Sequence, residues 1–106
     1  MPAPMTAPPL LIHVKRRYFD EFAAGAKTIE YRRHRGRFTA RNFWPGRRVI
    51  IASGRANLAA IVERFAIELA DARTREFRTF WPDITADDEI AAIELRVIGR
   101  HIPSNC

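Results

Sequence analysis

Acidic residues vanish from one stretch of this chain: between Tyr31 and Val62 there are eight arginines and no aspartate or glutamate. Cysteine is almost absent too. Cys106 stands alone, so no disulfide can form within these 106 residues. No apolar run approaches the roughly 20 residues that a spanning helix needs. The three histidines, His13, His34 and His101, have no zinc-like spacing and no neighbouring cysteine, so no metal is expected. A glycine-rich nucleotide loop is missing as well, and no cofactor is expected. Ser53-Gly54 follows a strand-like run, yet nothing pairs the hydroxyl with a histidine and an acid. A nucleophilic serine is therefore not expected, and Ser53 is read as lending a hydroxyl and a backbone amide to a binding cleft. The first nine residues hold four prolines and no charged side chain. Without a basic start or a long apolar centre they read as a floppy tail rather than a signal peptide. The cytoplasm is the expected location.

What remains is enough for one small core. Hydrophobic residues make up 47% of the chain, which is ordinary for a folded domain and excludes disorder throughout. Residues 10–106 are expected to form a single domain. The formal net charge is +6, and it is unevenly placed. Residues 1–30 sum to +1 and residues 63–106 to −3, so the excess is one block of eight arginines. Arginine outnumbers lysine sixteen to two, and its planar fork suits phosphates and stacking on bases. Compositional bias accounts for that ratio. It does not account for the missing acids, which point to a polyanion-binding face.

The block opens on the most informative segment, Gly25-Ala26-Lys27-Thr28-Ile29-Glu30-Tyr31-Arg32. Tyr18, Phe19 and Phe22 form the apolar side of a short amphipathic helix over Arg17 to Ala24. Gly25 is its stop, because glycine enters the left-handed region without penalty. From Thr28 the period becomes two, the mark of a strand running to Arg33. Thr28, Glu30 and Arg32 then share one face, a carboxylate beside a guanidinium. Lys27 has the wrong parity and joins them only by curling over the strand end. One reading is a structural ion pair at a barrel mouth. The other is a solvated cleft in which Arg32 holds a phosphate or base edge and Glu30 accepts from a base amine or orients Lys27. Desolvation beside an arginine would also suit Lys27 to base or nucleophile chemistry.

The arrangement Gly25-x-Lys27-x-x-Glu30-x-Arg32 resembles the signature of the ASCH domain, a small β-barrel relative of the PUA RNA-binding fold. The resemblance covers roughly residues 10 to 66. It includes the apolar strand Leu10 to Val14, the Tyr18-Phe19-Asp20 helix start, the Trp44-Pro45-Gly46 turn and the strand Val49 to Gly54. It implies an α+β fold, a PUA-like mixed barrel of five or six strands with two or three short helices. It also implies binding of single-stranded RNA or a nucleotide, with Lys27, Glu30 and Arg32 in the cleft and Arg35, Arg37, Arg41 and Ser53 around it. The alternative it implies is a metal-independent hydrolase, a ribonuclease or an acetylcytidine amidohydrolase, with Lys27 and Glu30 catalytic. The deacetylating branch uses the motif lysine, a threonine two residues before the arginine, and a glutamate from a later helix. This chain has Glu30 in place of the threonine. Glu63, Glu68 and Glu76 are not matched to the glutamate by sequence.

Between the motif and the next strand, residues 34–46 interleave Arg35, Arg37 and Arg41 with Phe38, Phe43 and Trp44. Such alternation neutralises phosphates while bases stack on rings. Equally, Phe43 and Trp44 can fold back as a barrel plug, and at least one is expected in the core. Lys15, Arg16 and Arg17 either extend the basic face or sit on the solvated side of the helix. Strands are expected over Arg48 to Ala52 and Leu58 to Ile67, buried on both sides as in a closed barrel. A helix is expected over Leu69 to Phe80, stopped by Trp81-Pro82. An acidic loop, Ile84 to Glu89, with Thr85 and Asp88 capping a turn, leads to a closing strand, Ile90 to Ile102.

Overall fold

The computed structural model describes residues 7–100, except the side chain of residue 72. Most of the expected tail, the end of the closing strand, His101 and Cys106 lie outside them. The fold is a curled mixed sheet, a half-barrel of five strands with two short helices. In chain order these are β1 (Leu10–His13), α1 (Arg16–Ala24), β2 (Ile29–Arg33), β3 (Arg48–Ser53), β4 (Ala56–Leu69), α2 (Thr74–Phe77) and β5 (Glu89–Arg100), with a 3-10 turn, Asp71–Arg73, before α2. Among the described residues no helix is long and apolar enough to cross a membrane.

The strands lie in the order β1-β3-β4-β5-β2. β1 runs parallel to β3, and every other pairing is antiparallel. The sheet is not closed, because β1 and β2 are its two edges and no ladder joins them. This corrects the expectation of strands buried on both faces. In β4, Leu58, Ala60 and Val62 are buried, whereas the far end of the strand, Ile67 to Leu69, is exposed. A bulge between Val62 and Arg64 changes which residues face inward. Beyond it Phe65 lies opposite Ile93, a fully buried core residue.

The main core draws on β1, α1, β3, β4 and β5. Phe22, Phe43, Ile12, Ile51, Val62 and Ile93 are among its fully buried members. Phe43 is completely buried, with Phe38 stacked on it at 5.7 Å, so one of the loop aromatics is indeed a plug. Trp44 is half-buried beneath the Arg47 guanidinium instead. A second cluster, Ala70, Phe77, Ile84 and Ile90, has Tyr31 and Trp81 packed against it.

The expected helix over Leu69 to Phe80 is a second correction. Leu69 ends β4, paired with Glu89, and only Thr74–Phe77 is α-helical. Ladder bonds to β5 outcompeted the local helical pattern, and Phe77 and Trp81 were left to pack in the second cluster. The following loop behaves as expected: the Thr85 amide donates to Asp88 Oδ2 at 2.8 Å, and the Asp88 amide returns to the Thr85 carbonyl.

Candidate functional site

The motif occupies the seam that the open sheet leaves. α1 ends at Gly25, whose φ of 79° is the left-handed stop. The amides of Ala26 and Lys27 both donate to the Glu21 carbonyl. That turn fixes Lys27 just before β2, so its side chain curls back over the strand end. Its Nζ donates to the Ile29 carbonyl at 2.7 Å and stands 3.7 Å from Glu30 Oε1. Tyr18, Phe22 and Tyr31 present their rings to the same ammonium at 5.4, 5.4 and 5.9 Å.

On the strand face shared by Glu30 and Arg32, Arg32 Nε donates to Glu30 Oε2 at 2.8 Å. A terminal nitrogen of the same guanidinium donates to the His13 carbonyl at 2.6 Å, bridging from β2 to the end of β1. Arg32 therefore spans the gap that no ladder closes. Glu30 is buried, at 7% exposure, among core residues that include Ile93 directly across the ladder. Of the polar and charged residues described, it is the one buried. The carboxylate is tolerated there because two cations converge on it.

In front of this triad lies an open cleft of about 970 Å³ between the start of α1, β2 and the α2 segment. Five cations line it, Lys15, Arg17, Lys27, Arg32 and Arg73, against three carboxylates, Glu21, Glu30 and Glu76. Its aromatic walls are Tyr18, Tyr31, Phe77, Phe80 and Trp81. Tyr18 and Phe80 meet at 5.9 Å, and Phe80 and Trp81 at 6.1 Å, so the rings form a continuous wall. Lys15 lies over Phe80 and Arg17 over Tyr18, whereas Arg16 turns away to pair with Asp20.

The far side is set by Arg73. Its guanidinium sits 4.2 Å from the Tyr31 ring and makes two bonds to Glu76, at 2.7 and 3.1 Å. Glu76 in turn raises the Arg73 pKa further, with Tyr31 adding to the effect. The Arg73 hydrogen bonds hold the Glu76 carboxyl below the usual carboxylate range, with the charges of Arg73 and Lys27 contributing. Asp83 is lowered likewise by a two-pronged bond from Arg33, which ties the acidic loop to β2.

The other arginines read from the sequence lie outside the cleft lining, as does Ser53 at the end of β3. Arg37 donates to the Leu11 carbonyl at 2.5 Å and so fastens its loop to β1. Arg47 reaches the Pro8 carbonyl in a similar way. Arg35 and Arg41 are exposed. Sequence reasoning missed the aromatic wall and the Arg73–Glu76 pair. That pair, and Phe77, Phe80 and Trp81 of the wall, come from a segment that reads as an ordinary amphipathic helix. The one available signal was the density of rings at Phe77, Phe80 and Trp81. No group of three metal-ligating side chains comes together among the described residues.

No family model matches the sequence, and no curated protein matches it either. Solved structures do. A serine-to-alanine mutant of ZmASCH from Zymomonas mobilis superposes with a TM-score of 0.63 at 16% identity, over 85% of this chain and 68% of that one. A tyrosine-to-phenylalanine mutant of the same protein gives 0.64 at 17% identity, over 90% and 73%. Across most of its length, the chain has the fold of that ASCH protein, and at this sequence distance the likeness shows the fold alone.

Proposed function

We propose that the chain binds single-stranded RNA, or a nucleotide unit of it, in the cleft in front of Lys27, Glu30 and Arg32. The observation that carries this reading is the lining itself. Five cations and five aromatic rings face one groove, and two of its three carboxylates are already occupied by cations. That is the composition a strand needs, with phosphates neutralised and bases stacked. Buried Glu30 anchors the two cations and leaves their outer donors for the ligand. Arg32 has five N–H donors and spends one each on Glu30 and His13, so the rest remain for a phosphate or base edge. Phe80, exposed at the rim, is the first stacking platform. Arg35 and Arg41 extend the basic surface beyond the cleft.

Fluorescence anisotropy with a labelled single-stranded RNA across a salt series tests this. Contact with about four to six phosphates gives a slope of log affinity against log salt of roughly −3 to −4. Phe80→Ala removes one stack and weakens binding by roughly 5- to 150-fold, the equivalent of about 1–3 kcal/mol. Arg35→Glu with Arg41→Glu weakens all sequences alike. Binding that ignores salt and survives these changes contradicts the proposal.

One observation favours a second reading. Glu76 lies on α2 and lines the same cleft as Lys27, which supplies a candidate for the later-helix glutamate of the deacetylating branch. Against it, Glu76 is tied up by Arg73. If the chain is such a hydrolase, it releases cytidine and acetate from acetylcytidine without added metal, and Lys27→Ala abolishes release. Unchanged substrate after prolonged incubation removes this reading and leaves the binding proposal intact.

A further inference from the structure

β4 outruns its neighbour on one side. β3 pairs with it only between Ala56 and Ile61, whereas β5 follows it to Leu69. Val62 still bonds to Gly46 and Arg47. Beyond it, no other described backbone reaches β4 on the β3 side. Arg64 to Leu69 is therefore an open sheet edge, a row of amides and carbonyls able to template another strand. Ile67 and Leu69 lie there 48% and 55% exposed.

The residues along this edge specify the strand that fits it. Their order is Arg64-Phe65-Ala66-Ile67-Glu68. An antiparallel copy of the same segment centred on Ala66 sets Arg64 opposite Glu68 of the second copy, and Phe65 opposite Ile67. The two-fold axis repeats both matches on its other side. Alternation keeps the charged pairs on one face and the apolar pairs on the other. Arg64 and Glu68 are exposed, and neither has an ion-pair or hydrogen-bond partner among the described side chains.

We propose that this edge pairs with itself, so that two copies join antiparallel along Arg64–Glu68. The product is a continuous six-stranded sheet, β2-β5-β4-β4-β5-β2, with the two clefts beside its outer strands. Dimerisation and ligand binding are then separable, because the cleft strand β2 lies two strands from the interface.

Sedimentation equilibrium of the full chain, from low to high micromolar concentration, reads the outcome. The expected species at the upper end has twice the 12.2 kDa chain mass. Arg64→Glu and Glu68→Arg each set like charges face to face and weaken the dimer by at least about tenfold. The double exchange restores it, because each pair is again of opposite sign. Both positions are exposed, and circular dichroism checks that the variants fold. If either fails to fold, Ile67→Lys carries the same test from the apolar face. A chain that stays monomeric throughout, a dimer indifferent to the single reversals, or a double exchange that restores nothing overturns the proposal.

Discussion

Replacing Glu30 with glutamine tests the physics of the motif most cleanly. The carboxylate is 7% exposed and holds Arg32 at 2.8 Å and Lys27 at 3.7 Å. Breaking a buried pair typically costs about 3–5 kcal/mol, because the remaining charge is left uncompensated. Here the cations have about a fifth to a quarter of their side-chain surface exposed, and each keeps a carbonyl partner, Ile29 for Lys27 and His13 for Arg32. That discounts the cost to about 2–3 kcal/mol. For a domain of this size an unfolding entropy of about 0.2 kcal/mol/K converts it to a fall in Tm of roughly 10–15 °C. Arg32→Met should cost a similar amount, since it also removes the bond to His13 that spans the seam. The two losses should not add. The double change, Glu30→Gln with Arg32→Met, should recover at least about 1 kcal/mol of their sum. This departs from a solvated-cleft reading of the motif, for which each single change costs about 1 kcal/mol or less. Thermal unfolding of the four proteins decides the matter. Single losses below about 1 kcal/mol that add without coupling would refute the buried-pair reasoning.

Gly25→Ala should cost about 1–2 kcal/mol, because the left-handed φ is strained for any residue with a Cβ; chemical denaturation measures it. Phe43→Ala should cost about 3–5 kcal/mol as the emptied plug of the core, whereas Phe80→Ala, at the exposed rim, should leave the melting temperature nearly unchanged. Lowered carboxyls contribute stability that is present above their unfolded pKa and lost as pH falls through the folded value. The Glu76 and Asp83 pairs should therefore add to acid destabilisation below the usual carboxylate range, and Glu76→Gln should flatten that part of the stability–pH curve.

The parts of the fold that were legible in the sequence are those fixed by local chemistry. Gly25 marks the end of α1 because a left-handed residue favours glycine, and the period of two from Thr28 gave β2 and the shared face of Glu30 and Arg32. Other features depended on distant partners. Leu69 belongs to a strand only because Glu89 lies across from it, and the segment after it is helical for barely one turn. The burial of Glu30 follows from its place opposite Ile93, a residue sixty-three positions away. Arg37 donates to the carbonyl of Leu11, a partner twenty-six positions away that no local pattern announces. Arg73 meets Tyr31 across the cleft only in three dimensions, so that contact had no linear signature.

The most direct test of the cleft as the binding site is an amide chemical-shift map recorded while single-stranded RNA is titrated into the labelled chain. Binding in the cleft should move Lys15, Tyr18, Lys27, Arg32, Arg73 and Phe80 together, in a salt-dependent way, and leave the Arg64–Leu69 edge unmoved. Shifts confined to Arg35, Arg41 and the loop around them, or no shifts at any RNA concentration, would contradict it.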